Sequence, residues 1–177
     1  GDRFRHAADA QTLDNHQGKV VRVLKNGGVP PDNPFALKPS PGALPEIWSY
    51  GHRNPQGLVM HPTTGTIWAH EHGPQGGDEI NIAQAGKNYG WPLITYGEEY
   101  GGGVIGKTKQ DGLEQPLQRS RHDAHNRVDH KTMAVAAMRE NQLHLHSRRR
   151  QPQLLLSLTQ CGAYHRAIIR RLEKATG

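Results

Sequence analysis

Between residues 19 and 82 the chain alternates short apolar runs with clusters of turn residues, and no run exceeds the length of a strand. The runs are 19–24 (KVVRVL), 46–50 (EIWSY), 57–60 (GLVM), 66–70 (TIWAH) and Glu79–Ile82 (EINI). Gly27-Gly28, Pro30-Pro31, the prolines from 39 to 45, and Thr63-Thr64-Gly65 separate them. β-branched and aromatic residues bounded by Gly, Pro, Asn and Asp read as strands and turns. No segment of this part has a 3.6-residue apolar period. The pattern predicts an antiparallel all-β fold, and period alone leaves sandwich, barrel and propeller open.

The pattern stops near Gln118. Residues 1–118 hold 19 of the 21 glycines, 11 of the 12 prolines and all three tryptophans. They carry 10 Lys+Arg against 12 Asp+Glu, whereas residues 119–177 carry 12 against 4. The formal charge of +6 is therefore a −2 stretch followed by a +8 stretch, which weakens it as a sign of a nucleic-acid partner. The division predicts two parts, 1–118 and a basic tail 119–177. In the tail, 130–148 and 164–176 carry weak amphipathic helical patterns around Leu154-Leu155-Leu156, so the tail is expected to be helical or disordered. Six histidines (His122, His125, His130, His144, His146, His165) stand there without Cys or carboxylates at metal-site spacing.

Other function classes fall to simple counts. No run of about 18 apolar residues exists to cross a membrane as a helix. No charged-then-apolar signal segment begins the sequence. The single cysteine, Cys161, excludes an internal disulfide and a thiolate zinc cluster. Apolar residues are only 34%, low for a self-contained core.

Chemistry concentrates between 46 and 100. Gly51-His52-Arg53-Asn54-Pro55-Gln56-Gly57, His70-Glu71-His72-Gly73-Pro74-Gln75-Gly76-Gly77-Asp78-Glu79-Ile80-Asn81 and Asn88-Tyr89-Gly90-Trp91-Pro92 each read as a strand end entering a polar Gly/Pro turn. Glycine lets backbone approach a ligand closely. Carbonyls at Gly73-Pro74 and the oxygens of Asp78 and Glu79 suit a hard cation such as calcium. Arg53 offers a planar fork of donors for a carboxylate or quinone oxygen. The residues themselves reach an oxygen-rich cation site beside an anion-recognising arginine.

These motifs, with Thr12-Leu13-Asp14-Asn15, Pro30-Pro31-Asp32-Asn33-Pro34 and Glu114-Gln115-Pro116, resemble the soluble pyrroloquinoline-quinone (PQQ)-dependent aldose sugar dehydrogenases of the glucose/sorbosone dehydrogenase family. The resemblance covers 1–118 and implies part of a six-bladed β-propeller, about two to three blades. It implies an exported, periplasmic oxidoreductase that oxidises the C1 hydroxyl of aldoses to lactones and passes the electrons to an acceptor. Arg53, Asn54, His72 and Asp78 match cofactor-binding positions. Gly73 and Pro74 match carbonyl ligands of the calcium at the quinone, and Glu79, Tyr89 and Tyr100 match a second calcium site. The family's general-base histidine lies upstream of the segment matched by Gly1-Asp2-Arg3, so no catalytic residue is assigned in this chain and little activity is expected of it alone. As it stands, without an export signal, it would be cytoplasmic. Nothing beyond 118 resembles the family, and the tail has the composition of an out-of-frame reading or gene junction. An open set of blades leaves unpaired strand edges, which predicts marginal stability. The competing reading is a non-enzymatic interaction protein whose basic tail, with Arg148-Arg149-Arg150, binds nucleic acid or an acidic surface, although no aromatic–basic interleaving supports it.

Overall fold

The structure is a computed structural model, and it describes residues 5–61 and 64–119 together with the strand Leu154–Leu158. Among the described residues, seven strands form two antiparallel sheets. The first contains β1 (Val20–Leu24), β2 (Ile47–Ser49) and β7 (Leu154–Leu158) in the order β2-β1-β7. The second is the meander β3 (Pro55–Met60), β4 (Ile67–Glu71), β5 (Glu79–Ile82) and β6 (Gln118–Arg119), in that order.

All five strand runs of the front part are strands, displaced by no more than two residues at their ends. Two single turns of helix add to them, a 3-10 turn Ala7–Ala10 and α1 (Pro34–Leu37), both too short to show an apolar period. Pro34 opens α1, where its missing N–H costs nothing. Of the tail, the described segment is β7, which includes the three consecutive leucines and pairs with β1 from Val20↔Leu158 to Leu24↔Leu154. The two helical patterns at 130–148 and 164–176 lie outside the described residues, as do the tail histidines.

The core joins the two sheets. Val20 of β1 packs with Ile67 and Ala69 of β4 and with Ala83, and Trp48, Leu58 and Met60 close around them. Alternation within β4 puts Ile67, Ala69 and Glu71 on one buried face. Gln56 makes a bulge in β3 opposite β4, so that Pro55 faces Glu71 and Gly57 faces His70. At Gly57 a Cβ would stand 2.2 Å from Nε2 of His70, so a side chain there would displace that ring.

Several sequence motifs are framework. Asn33, fully buried, donates to the carbonyls of Arg22 (2.8 Å) and Pro45 (3.1 Å) and accepts from the Arg22 guanidinium (2.9 Å). Asn88 exchanges side-chain hydrogen bonds with Gln11 and accepts from the Gly90 N–H (2.9 Å). Lys19 is also fully buried; its ammonium donates to the carbonyls of Asp9, Ala10 and Gln17. Ala10 O in turn accepts the N–H of Gly51 at 2.9 Å. The N-terminal turn is thereby tied to the segment that carries Arg53.

Candidate functional site

The β4–β5 hairpin holds residues 72–78 in a Gly-rich loop over the end of the second sheet. Its register sets Glu71 opposite Glu79, so both carboxylates rise from the same face. Asp78 closes the loop: one carboxylate oxygen accepts the Gly73 N–H at 2.9 Å and lies 3.5 Å from Nδ1 of His72. Gly73 sits in a cradle of carbonyls where a Cβ would be 2.3 Å from Gly77 O and 2.4 Å from Gly76 O.

A shallow, open cleft lies beside this loop. Arg53, His72, Gly73 and Glu79 line it, with Tyr89 and Trp91 across from them. Arg53 is only 7% exposed; its guanidinium donates to the carbonyls of His72 (2.9 Å) and Gly73 and lies 5.1 Å from the centre of the Trp91 ring. The structure thus brings a cationic fork, an aromatic face and carbonyl oxygens into one small space.

Behind the cleft runs a buried polar chain. Oγ of Ser49 lies 2.9 Å from Nε2 of His52, and Nδ1 of His52 lies 2.9 Å from Oε1 of Glu71. Oε2 of Glu71 accepts the main-chain N–H groups of Arg53 (2.7 Å) and Asn54 (3.2 Å), and Oε1 accepts from the Asn81 amide (2.9 Å). Burial opposes ionisation of Glu71, but His52 and the two N–H groups outweigh it and hold the carboxyl below its ordinary value. Glu79 goes the other way. Burial, reinforced by the Glu71 charge, pushes it up to about 8, so it keeps its proton near neutrality. Two neighbouring carboxyls thereby hold different protonation states.

The expected site residues fall into three groups. Arg53, His72, Gly73, Glu79 and Tyr89 line the cleft. Asn54, Pro74 and Asp78 stand one step back. Asn54 accepts from the Gln56 side chain (3.0 Å), and Pro74 is buried in the loop where Gly97 must lack a side chain to clear its ring. Tyr100 is 57% exposed and is not part of the cleft lining. The Tyr89 hydroxyl is already tied between Ile82 O and the Gln84 N–H, and its ring stacks on His52 at 4.5 Å; burial pushes it up to about 12. Sequence reasoning missed Glu71 as a member of the site. Its place two residues after Ala69, in step with the buried face, was the available signal.

The Glu79 carboxyl and the loop carbonyls are oxygen donors of the kind a hard ion takes, but the carbonyls of His72 and Gly73 already accept from the Arg53 guanidinium and both Glu71 oxygens are engaged by protein donors. Among the described residues, no cluster of three or more His, Cys, Asp or Glu side chains is arranged to hold a metal. Carbonyls would have to dominate such a site. The Arg53 fork and the Trp91 face suit a planar anionic ligand.

Residues 1–124 match the Glucose / Sorbosone dehydrogenase family model, and the chain belongs to that family. It is 57% identical over 111 residues to aldose sugar dehydrogenase YliI of Escherichia coli (strain K12), a match spanning 61% of this chain and 29% of that protein. The crystal structure of the soluble aldose sugar dehydrogenase (Asd) from Escherichia coli in its apo-form superposes with a TM-score of 0.61 at 50% identity, covering 66% of this chain and 34% of that one. The PQQ-bound form of aldose sugar dehydrogenase (Adh) from Streptomyces coelicolor superposes with a TM-score of 0.50 at 30% identity, covering 65% and 29%. The matched part therefore has the fold of part of a β-propeller, and the chain spans about a third of the solved structures it matches.

Proposed function

We propose that this chain carries part of the cofactor cleft of a quinoprotein aldose dehydrogenase, which oxidises the C1 hydroxyl of an aldose to the lactone. The observation that carries this reading is Arg53, buried at the cleft with the carbonyls of His72 and Gly73 turned toward its guanidinium. When bound, PQQ supplies the two-electron acceptor and calcium polarises its reactive carbonyl.

The residues of this chain do the holding. Arg53 and Asn54 would bind quinone oxygens and stabilise negative charge that develops there. His72 would contact the cofactor from the loop, and Asp78 keeps that loop closed through the Gly73 N–H. The Gly73 and Pro74 carbonyls would face calcium. Glu79, Tyr89 and Tyr100 are assigned to a second calcium, with Tyr89 contributing main chain because its hydroxyl is already engaged. We assign no residue of this chain as the base that would take the hydroxyl proton. The working enzyme would act in the periplasm and pass electrons to a separate acceptor. Residues 1–118 would supply the propeller part, with 119–177 a basic tail of separate origin.

Titrating the purified chain with PQQ, with and without calcium, tests this. Quenching of tryptophan fluorescence is expected, because Trp91 lines the cleft. Aldose-dependent dye reduction by the same sample is expected to be negligible. No effect of PQQ under either condition refutes the reading, and robust turnover refutes the account of the base.

A further inference from the structure

Glu71 closes β4 on the same buried row as Ile67 and Ala69, and only 3% of it is exposed. An apolar side chain there would complete the row. The carboxylate instead supplies acceptors to two consecutive main-chain donors, the N–H groups of Arg53 and Asn54, at 2.7 and 3.2 Å. Those donors lie where the chain enters the β3 bulge, and without the carboxylate they would be buried unpaired. The carboxylate is itself held from behind. His52, 1% exposed, bonds it through Nδ1, bonds Ser49 through its other ring nitrogen and stacks on Tyr89; the Asn81 amide donates to the same oxygen.

We infer that Glu71 is a positioning residue: it fixes the main chain of Arg53 and Asn54, so that the Arg53 guanidinium stays aimed at the cleft where an anionic ligand oxygen would sit. The inference deepens the quinone reading and rests on it for the identity of that ligand. Both Glu71 oxygens are engaged by protein donors, so it acts through Arg53 even though it borders the cleft. Ser49 and His52 resemble the first two members of a nucleophilic triad with Glu71, but Ser49 is fully buried, so the chain of hydrogen bonds serves to hold the carboxylate rather than to attack a substrate.

The test is a double-mutant cycle on the 177-residue chain, read by PQQ titration and by hydrogen exchange of single amides. Glu71→Ala is expected to weaken PQQ binding at least tenfold in the wild-type background and less than twofold in an Arg53→Met background. It should also speed exchange at the Arg53 and Asn54 amides by tenfold or more while the β4–β5 amides keep their protection. Equal weakening in both backgrounds, or unchanged affinity in Glu71→Ala, overturns the inference. If Glu71→Ala does not fold, Glu71→Asp, which withdraws the carboxylate by one methylene, is read in the same cycle against the same criteria. If the wild-type chain does not bind PQQ, or Arg53→Met leaves affinity unchanged, the quinone reading fails and exchange decides the positioning role. Faster exchange confined to Arg53 and Asn54 upholds that role, and unchanged exchange overturns it.

Discussion

Two glycine-rich turns, 72–78 and 98–104, look alike in sequence and differ in the structure. In the first, Gly73 and Gly77 have no room for a Cβ: it would stand 2.3 Å from Gly77 O and 2.5 Å from Gly97 N respectively. In the second, Gly101, Gly102 and Gly103 would meet nothing within 4 Å. The first turn packs carbonyls around a cleft beside a buried arginine. The second projects Glu98, Glu99, Tyr100 and Val104 outward. Glycine content therefore marks a turn, but only the neighbouring backbone shows whether the missing side chain is a site requirement or simple conformational ease.

Substitutions at the two turns can break that contrast. Gly73→Ala forces a Cβ into backbone carbonyls and is expected to cost more than about 3 kcal/mol or prevent folding, measured by urea denaturation. A Gly73→Ala chain as stable as wild type would contradict the close packing of the loop.

Lys19 sharpens the same contrast from the frame behind the cleft. Burial pushes its amine down to about 8, against an ordinary value of 10.5, although Asp9 and Asp14 pull it back up. Between about 8 and 10.5 the unfolded chain therefore binds more protons at this group than the folded one. Its contribution to stability rises with pH across that window, and its burial cost is fully present below it. Relative to a Lys19→Met variant, the wild type should gain stability on the order of 2 kcal/mol from pH 8 to 10.5. A parallel pH dependence in the two proteins would remove the charge from the account.

Asp78→Ala deletes the acceptor of the Gly73 N–H and is expected to cost about 1–2 kcal/mol, with the loss of protection confined to the 72–78 loop in hydrogen exchange. Gly101→Ala, in the open turn, should change stability by no more than about 0.5 kcal/mol. A larger loss at Gly101 would mean that the second turn is as constrained as the first.

The strands were legible because alternation and turn chemistry are local: VVRVL and EINI need only their own residues to declare an extended, half-buried segment. The cleft was legible in part for the same reason. Arg53, Gly73 and Glu79 stand in turn motifs whose residue types already indicate recognition of charge and close backbone approach. Tyr100 shows the limit. It follows Glu98-Glu99 in an acidic, aromatic stretch, and it is 57% exposed and not among the residues that line the cleft, which no local pattern indicates. Glu71 shows the opposite limit, because a carboxylate at a strand end reads as a solvated residue until the strand opposite is in place. The tail is a third case. Three leucines between two weak helical patterns had no period of their own, and it is pairing with β1 that makes the run a strand.

The sequence by itself determined the all-β class, the boundaries of five strands within two residues, and the motifs that place the chain in its family, because each depends on neighbours along the chain. Tertiary structure alone decided which glycines are indispensable, that their surroundings push the neighbouring Glu71 and Glu79 carboxyls in opposite directions, and that Arg53 faces the cleft. Those properties depend on burial and on donors from segments far apart in sequence, such as His52 and Asn81 on Glu71, and no local pattern encodes which donors will meet.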